Sequence, residues 1–341
     1  MHNIETSKSG KTYKYVQKLG SGTYGTTWMA IDQDTGEKIT IKVFSRPGKL
    51  DQEKIEDITE DWEIEVGALK KVLPQCSPSA VCIKDYWFGK DGAKIAMDFI
   101  RGESLNKQII GGIRLAARRN DHTLLKNLID GIQVIHNKGI VHQDIKGDNI
   151  MFDFDYPQGL YRYIDFGLSC IQKAKKIKKV RDNWPCGSIG TRYTAPHEIA
   201  TVKNGVTLDW NTLEAHDYWS IGVVLLRWYT FDGSRYYYSS IIDKYAKTQK
   251  AADKLANESN AYSIFPYYYK FPQMLICNEV GKIKEPSVRA IVGLLLEKNP
   301  KKRWENFKTV KYILDPTAEL CDKGKKGEWI PIKASIEKLR L

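Results

Sequence analysis

With 341 residues the chain can bury a large core and divide into more than one lobe. Its formal net charge of +12 suits acidic partners, no stretch nears the roughly 20 apolar residues of a membrane span, and Met1-His2-Asn3-Ile4-Glu5-Thr6 has no apolar signal region. An intracellular protein without membrane association is therefore expected, in cytoplasm or nucleus. The six cysteines, Cys76, Cys82, Cys170, Cys186, Cys277 and Cys321, lack C-x-x-C spacing and a histidine cluster, and read as reduced, mostly packing thiols.

Residues 1–12 read as an N-terminal extension. Tyr13-Lys14-Tyr15-Val16-Gln17-Lys18-Leu19 alternates as a strand does, and Gly20-Ser21-Gly22-Thr23-Tyr24-Gly25 follows as a glycine-rich turn. Small residues there let backbone N–H groups approach phosphate oxygens with no Cβ in the way. A G-x-G-x-x-G run also fits a dinucleotide fingerprint, but that fingerprint opens a helix. Here the β-branched and aromatic run Thr26-Thr27-Trp28-Met29-Ala30-Ile31 comes next. The turn Asp32-Gln33-Asp34-Thr35-Gly36-Glu37 and the strand Lys38-Ile39-Thr40-Ile41-Lys42-Val43-Phe44 complete a hairpin. Lys42 alone would be an ordinary solvated strand lysine. A helix follows from Glu53 to Val72. Strands dominate up to Met97 and helical spacing afterwards, as in Leu124–Ile135, with no internal repeat and no long low-complexity linker. The change falls at Asp98-Phe99-Ile100-Arg101-Gly102.

The chemistry concentrates further on. In His142-Gln143-Asp144-Ile145-Lys146-Gly147-Asp148-Asn149 a carboxylate, a cation and an amide lie close together, and Asp165-Phe166-Gly167 begins 21 residues after Asp144. Moving a nucleotide's terminal phosphoryl group needs an acceptor for the attacking hydroxyl's proton, a cation near the phosphoryl and oxygen ligands for Mg2+. This stretch holds all three, whereas Asp-Phe-Gly by itself would be a chance tripeptide. Three further runs follow: Gly190-Thr191-Arg192-Tyr193-Thr194-Ala195-Pro196-His197-Glu198, Asp217-Tyr218-Trp219-Ser220-Ile221-Gly222 and Asn299-Pro300-Lys301-Lys302-Arg303.

In this order and over about 290 residues, these motifs resemble the eukaryotic protein kinase family, and within it the Ser/Thr kinases. The resemblance implies an α+β, two-lobed protein-kinase-like fold. A small β-rich N-lobe would span residues 13–97, a hinge 98–102 and a larger, mainly α-helical C-lobe 103–312, completing a kinase domain over 13–312 with 313–341 as a C-terminal extension. It implies ATP and Mg2+ as cofactors, with Mn2+ able to substitute. Asp144 would be the catalytic carboxylate, and Lys146 would neutralise charge on the phosphoryl group and mark serine or threonine rather than tyrosine specificity. Asn149 and Asp165 would hold the metal. Lys42 would contact the α- and β-phosphates and pair with a helix glutamate. Leu69-Lys70-Lys71-Val72 resembles the end of that helix, and one turn back from Leu69 stands Glu65, with Glu63 as the alternative register. Gly20, Ser21, Gly22, Thr23, Tyr24 and Gly25 would cradle phosphates. Thr27, Thr40, Met97, Asp98, Phe99 and Met151 would line the adenine pocket, with Met97 gating its back. Glu198 would pair with Arg303 in a structural role.

The chain departs from the family pattern in several places. Thr27 and Thr40 stand where valine and alanine are usual, only Arg192 separates Gly-Thr from Tyr193, and His197 intervenes before Glu198. Gln143 stands where most members carry an arginine that binds a phosphate on the activation segment through its charged, bidentate fork. Ser169, Ser188, Thr191 and Thr194 are modifiable hydroxyls in that segment, but a main receptor for the phosphate is missing. Activity without activation-segment phosphorylation is therefore expected, the alternative being that nearby lysines replace the arginine as point charges. The densest basic cluster, Lys173, Lys175, Lys176, Lys178, Lys179 and Arg181, falls in the same segment. It reads as a solvated loop, as a surface for acidic or already phosphorylated protein substrates or, least favoured, as a nucleic-acid contact. Oligomeric state is not legible. Two rival functions stay open. A small-molecule phosphotransferase is opposed by the Ala195-Pro196 and Asp217-to-Gly222 runs, and a pseudokinase scaffold by the joint presence of Lys42, Asp144, Lys146, Asn149 and Asp165.

Overall fold

A computed structural model describes residues 4–22, 25–45, 52–72, 78–89, 92–111, 122–156, 159–173, 176–177, 186, 190–191, 194–196, 198, 208–230, 273–310, 321–323 and 329–331. The alternating segments of the first hundred residues form one antiparallel sheet. Its strands are β1 (Ile4–Thr6), β2 (Thr12–Gly22), β3 (Gly25–Asp32), β4 (Lys38–Phe44), β5 (Ile83–Gly89) and β6 (Gly92–Asp98), in the spatial order β1-β2-β3-β4-β6-β5. Side chains alternate across a strand, so the sheet has two apolar faces. Ile39, Ile41 and Val43 pack with Tyr13, Ala30, Trp87 and Ala96 on one face. Phe44, Ile95 and Met97 turn to the other and join the main core. That second face also receives α1 (Gln52–Val72), which buries Ile58, Asp61, Glu65, Ala68 and Val72 at helical spacing and whose Trp62 donates its indole N–H to the Lys94 carbonyl at 2.9 Å.

Two details of this sheet differ from the sequence reading. The expected glycine-rich turn is mostly ladder: Gly20 pairs with Thr27, Ser21 with Thr26 and Gly22 with Gly25, so only Thr23 and Tyr24, outside the described residues, link the strands. Gly25 is irreplaceable in this geometry, since at φ 140 a Cβ there would stand 2.0 Å from the Val43 carbonyl oxygen. Residues 4–6 add an edge strand to β2, and Glu5 accepts from the buried Lys94 ammonium at 2.6 Å and from the Trp87 indole at 3.0 Å.

Among the described residues helices dominate the rest. After β7 (Gly102–Ser104) come α2 (Leu105–Ile110), α3 (Thr123–Asn137), β8 (Ile140–Val141), a single 3-10 turn (Gly147–Asn149), β9 (Ile150–Asp153), β10 (Leu160–Tyr163), β11 (Cys170–Lys173) and β12 (Lys176–Ile177). They are followed by α4 (Trp210–Thr230), α5 (Gln273–Val280), α6 (Pro286–Leu295), α7 (Pro300–Val310) and the hairpin of β13 (Cys321–Lys323) and β14 (Trp329–Pro331). Every residue of α4 from Ala215 to Trp228 is buried, so this helix is the inner pillar of the helical lobe. The Tyr218 ring stacks on Phe307 of α7 at 3.7 Å, and Arg303 lies over Trp219. The expected two-lobed α+β architecture is therefore present.

The cysteines correct the expectation of reduced thiols. Cys170 and Cys186 form a disulfide with Cα atoms 5.9 Å apart, Cys82 and Cys277 are disulfide-bonded as well, and among the described residues no cysteine is free. Bonding depends on two Cα atoms approaching within about 7 Å in space, which linear spacing does not reveal. Cys76 lies outside the described residues. Among the described residues no helix is long and apolar enough to cross a membrane.

Candidate active site

The site is hung from the buried pillar. Asp217 of α4 accepts from the backbone N–H groups of His142 and Gln143, each at 2.8 Å, and lies 2.8 Å from Nε2 of His136 on α3. Burial alone would raise the Asp217 pKa, but the His136 contact outweighs it and keeps the carboxyl below its ordinary value. This anchoring fixes the loop between β8 and the 3-10 turn. Gln143 there has φ 64 and Asp165 has φ 61, the only two non-glycine residues in left-handed backbone among those described. Both conformations cost free energy, Gln143 on this loop and Asp165 on the loop after β10.

On this loop one carboxylate collects three donors. Asp144 Oδ1 accepts from Thr191 Oγ1 at 2.5 Å, and Oδ2 accepts from Lys146 Nζ at 2.8 Å and Asn149 Nδ2 at 2.9 Å. Lys146 also donates to Thr191 Oγ1 at 3.0 Å, so cation, hydroxyl and carboxylate form a closed triangle. Gly190 lets the chain pass close by, because a Cβ there would meet Gln143, Ala195 and His216 at 3.1 to 3.3 Å.

A second constellation joins the sheet to the helical lobe. Lys42 Nζ of β4 lies 2.6 Å from Glu65 Oε2 of α1 and 2.7 Å from Asp165 Oδ1. Burial would lower the Lys42 pKa, but the Asp165 and Glu65 carboxylates overcome this and hold it above its ordinary value. Asp165 is held below its ordinary value against its burial, chiefly by Lys42, whereas burial pushes Glu65 up to about 7. Of the two glutamate registers weighed from the sequence, it is Glu65 that meets Lys42. His142 ties the constellations together, its Nε2 lying 3.1 Å from the Ile164 carbonyl and its ring 4.8 Å from that of Phe166.

The strand register orders the remaining candidates. Thr27 stands opposite Lys42, and Thr40 opposite Met97, so all four share the sheet face that looks toward the helical lobe. Met151 lies on β9 beside Ser104 of β7, just past Asp98 and the half-buried Phe99. The Asp98 carboxylate is turned elsewhere, accepting from Arg162 at 2.8 Å and from the Cys82 N–H at 3.2 Å. Gly20, Ser21 and Gly22 are exposed on β2, while Thr23 and Tyr24 lie outside the described residues. Glu198 and the fully buried Arg303 form an ion pair, and Arg303 also donates to the Ala215 and Glu297 carbonyls at 2.7 and 2.6 Å. Lys175, Lys178, Lys179, Arg181, Ser188, Arg192, Tyr193 and His197 lie outside the described residues, and of Lys173 and Lys176 only the backbone pairing is described.

The donor set suits a hard divalent cation. Asn149 spends its amide N–H groups on Asp144, which leaves its carbonyl oxygen as an acceptor, and Asp165 spends one oxygen on Lys42. One carboxylate plus one amide oxygen is a typical protein share for Mg2+, which takes its other ligands from phosphates and water. Among the described residues no cluster of three or more His, Cys, Asp or Glu could hold a metal alone.

Sequence reading missed three partners. Thr191 was read only as a modifiable hydroxyl, although the Gly190-Thr191 run placed it near the site. His136 and Arg162 carried no signal, because their carboxylate partners are 81 and 64 residues away in the chain.

Comparison with known proteins adds an independent line. A family model described as the protein kinase domain matches residues 13–313. The chain is 26% identical over 214 residues to calcium-dependent protein kinase 7 of Arabidopsis thaliana, covering 62% of this chain and 36% of that protein. It is 29% identical over 224 residues to CBL-interacting serine/threonine-protein kinase 8 of the same plant, covering 64% and 44%. With serine/threonine-protein kinase cds1 of Schizosaccharomyces pombe it shares 29% over 215 residues, covering 62% and 43%. The matches thus span less than half the length of these relatives.

Proposed function

This chain belongs to the protein kinase domain family, and from that membership we propose that it transfers the γ-phosphoryl group of ATP to serine or threonine hydroxyls of protein substrates. The observation that carries the reading is the convergence of Lys146, Asn149 and Thr191 on the Asp144 carboxylate, beside Lys42, Glu65 and Asp165. Asp144 accepts the proton of the attacking hydroxyl as that oxygen bonds to phosphorus and the bond to the ADP oxygen breaks. Lys146 neutralises charge on the phosphoryl oxygens. Lys42, held charged and oriented by two carboxylates, positions the α- and β-phosphates. Asn149 and Asp165 would hold Mg2+, or Mn2+ in its place, which when bound offsets the negative charge of the phosphates. The names of two relatives, both serine/threonine-protein kinases, and Lys146 with its Thr191 contact support serine and threonine over tyrosine.

The test is transfer of label from radioactive ATP to casein, histone and myelin basic protein. Phosphoserine and phosphothreonine are expected; label confined to tyrosine, or none at all, would overturn the reading. The charge of +12 supports acidic or already phosphorylated proteins as substrates, and cytoplasm or nucleus is kept as the working location.

The adenine pocket is assigned to Thr27, Thr40 and Met97, whose shared sheet face supports it, together with Met151 on β9. Burying two hydroxyls against an apolar base costs about 0.5–2 kcal/mol each unless they bond locally. Thr27→Val/Thr40→Ala is therefore expected to bind ATP roughly tenfold more tightly and to discriminate better against GTP. Calorimetric Kd values for both nucleotides check this, and no tightening would contradict it.

Independence from activation-segment phosphate is supported by the surroundings of Gln143. Its side-chain amide donates to the Leu168 carbonyl at 2.6 Å and to Cys170 Sγ at 2.9 Å, so it acts as a short neutral brace. Ser169 and Thr194 are buried, and Thr191 is engaged by Asp144. Phosphatase-treated protein, verified by mass spectrometry, should keep most of its kcat. A collapse of activity that returns on rephosphorylation would sink the idea.

A further inference from the structure

We infer that Cys170 and Cys186 are a thiol–disulfide modification site that holds Asp165 and Thr191 in position, a role that a phosphate plays in the family pattern. The inference rests on the kinase reading above. The bond spans 16 residues and lies midway between the two functional ends, five residues after Asp165 and five before Thr191. Both half-cystines are fully buried, packed with Ile64 of α1, Val141 of β8 and Leu213 of α4. One crosslink thus touches the helix that carries Glu65, the strand that leads into Asp144 and the pillar that carries Asp217. Cys170 is additionally held by pairing with Val141 and by the Gln143 amide. With the bond closed, Thr191 reaches Asp144 and Lys42 reaches Glu65 and Asp165. The basic residues Lys173, Lys175, Lys176, Lys178, Lys179 and Arg181 all stand between the two half-cystines in the sequence.

Opening follows thiol chemistry. A low-molecular-weight thiolate attacks one sulfur through a mixed disulfide, and a second equivalent releases it. In balance, the cystine and two R–SH give two cysteine thiols and one R–S–S–R. Burial means that the reagent acts through local opening of the segment. In a reducing compartment such a bond is transient and redox-sensing, which is compatible with the expected intracellular setting. Opening lengthens the tether on Thr191 and on Asp165, and small misplacements of reacting groups carry large rate costs.

The experiment compares the full chain, phosphatase-treated, in oxidised and thiol-reduced forms, beside Cys170→Ala/Cys186→Ala, with pairing followed by differential alkylation and mass spectrometry. Oxidised wild type is expected to lose about 10- to 100-fold in kcat on reduction and to regain it on reoxidation. The variant should sit at the low level in both conditions, so any thiol effect on it reports the other cysteines and is subtracted. Cys170→Val/Cys186→Ala preserves apolar volume should the alanine pair fail to fold. Equal kcat in both wild-type forms, or a faster reduced form, would overturn the inference. If oxidised wild type transfers no phosphoryl group, the kinase reading itself fails. Hydrogen exchange over 168–172 and 186–191 then decides the crosslink's role: faster exchange in the variant supports it, and equal exchange overturns it.

Discussion

Asp144→Asn lowers kcat by about 10² or more while ATP binding is retained. The side chain keeps its shape but loses the carboxylate proposed to take the hydroxyl proton. It also loses half of its acceptor capacity, because an amide offers one oxygen where Asp144 now accepts from Thr191 on one side and from Lys146 and Asn149 on the other. The amide NH2 is accommodated only on the Thr191 side, where the hydroxyl can turn to accept, so the Thr191 donation is lost while Lys146 and Asn149 keep the oxygen. Steady-state kinetics with a peptide substrate, alongside ATP titration, separates the two effects: a fall in kcat with unchanged nucleotide Kd is expected. Unchanged turnover would remove Asp144 from its assigned role.

Lys42→Met abolishes measurable turnover and destabilises the fold by about 3–5 kcal/mol, the usual cost of removing one partner from a buried ion pair. Lys42 is the cation shared by Glu65 and Asp165, and Glu65 is itself almost fully buried. Without it, two carboxylates face each other in a site that already pushes Glu65 up to about 7. A carboxyl whose folded pKa exceeds its unfolded value binds more protons when folded. Its favourable contribution is therefore complete below the unfolded pKa of about 4.3 and lost as pH rises through the folded one. The variant should accordingly lose stability between pH 5 and pH 8 more steeply than wild type. In the wild type the raised Lys42 pKa contributes stability that persists across that whole range. Thermal melting at both pH values checks the sign, and Lys42→Met/Glu65→Gln should recover part of the loss. A variant whose stability rises toward pH 8 would contradict the assignment of a shared cation.

Much of the fold was legible because local pattern and local structure coincide. Alternation in Tyr13–Leu19 and Lys38–Phe44, the polar turn at Asp32–Glu37 and the apolar spacing through Leu124–Ile135 each report a period that the backbone enforces. Tertiary pairing extended β2 through the glycines to Gly22 and added β1 at the edge, since a ladder continues wherever a partner strand supplies hydrogen bonds.

The candidate site divides along the same line. Residues that act within one short loop, Asp144, Lys146 and Asn149, were identifiable from spacing, because a loop of eight residues leaves them little choice of neighbour. Glu65 followed from the resemblance of Leu69-Lys70-Lys71-Val72 to the family's helix end, with Glu63 as the competing register, and only the packing of α1 against the sheet brought Glu65 rather than Glu63 to Lys42. Thr191, His136 and Arg162 are set by contacts across 47, 81 and 64 residues, where sequence carries no distance information. The cysteines show the limit most clearly. Their number was plain from the chain alone, which reads them as reduced thiols, whereas Cys170 and Cys186 form a bond where β11 pairs with β8 and both sulfurs are buried beside α1 and α4. The sequence by itself therefore determined the candidate reacting groups and the local periods that carry them. Which distant groups meet, and in which protonation and redox state, was decided by tertiary packing, because burial, approach and field are properties of the folded surroundings rather than of any residue.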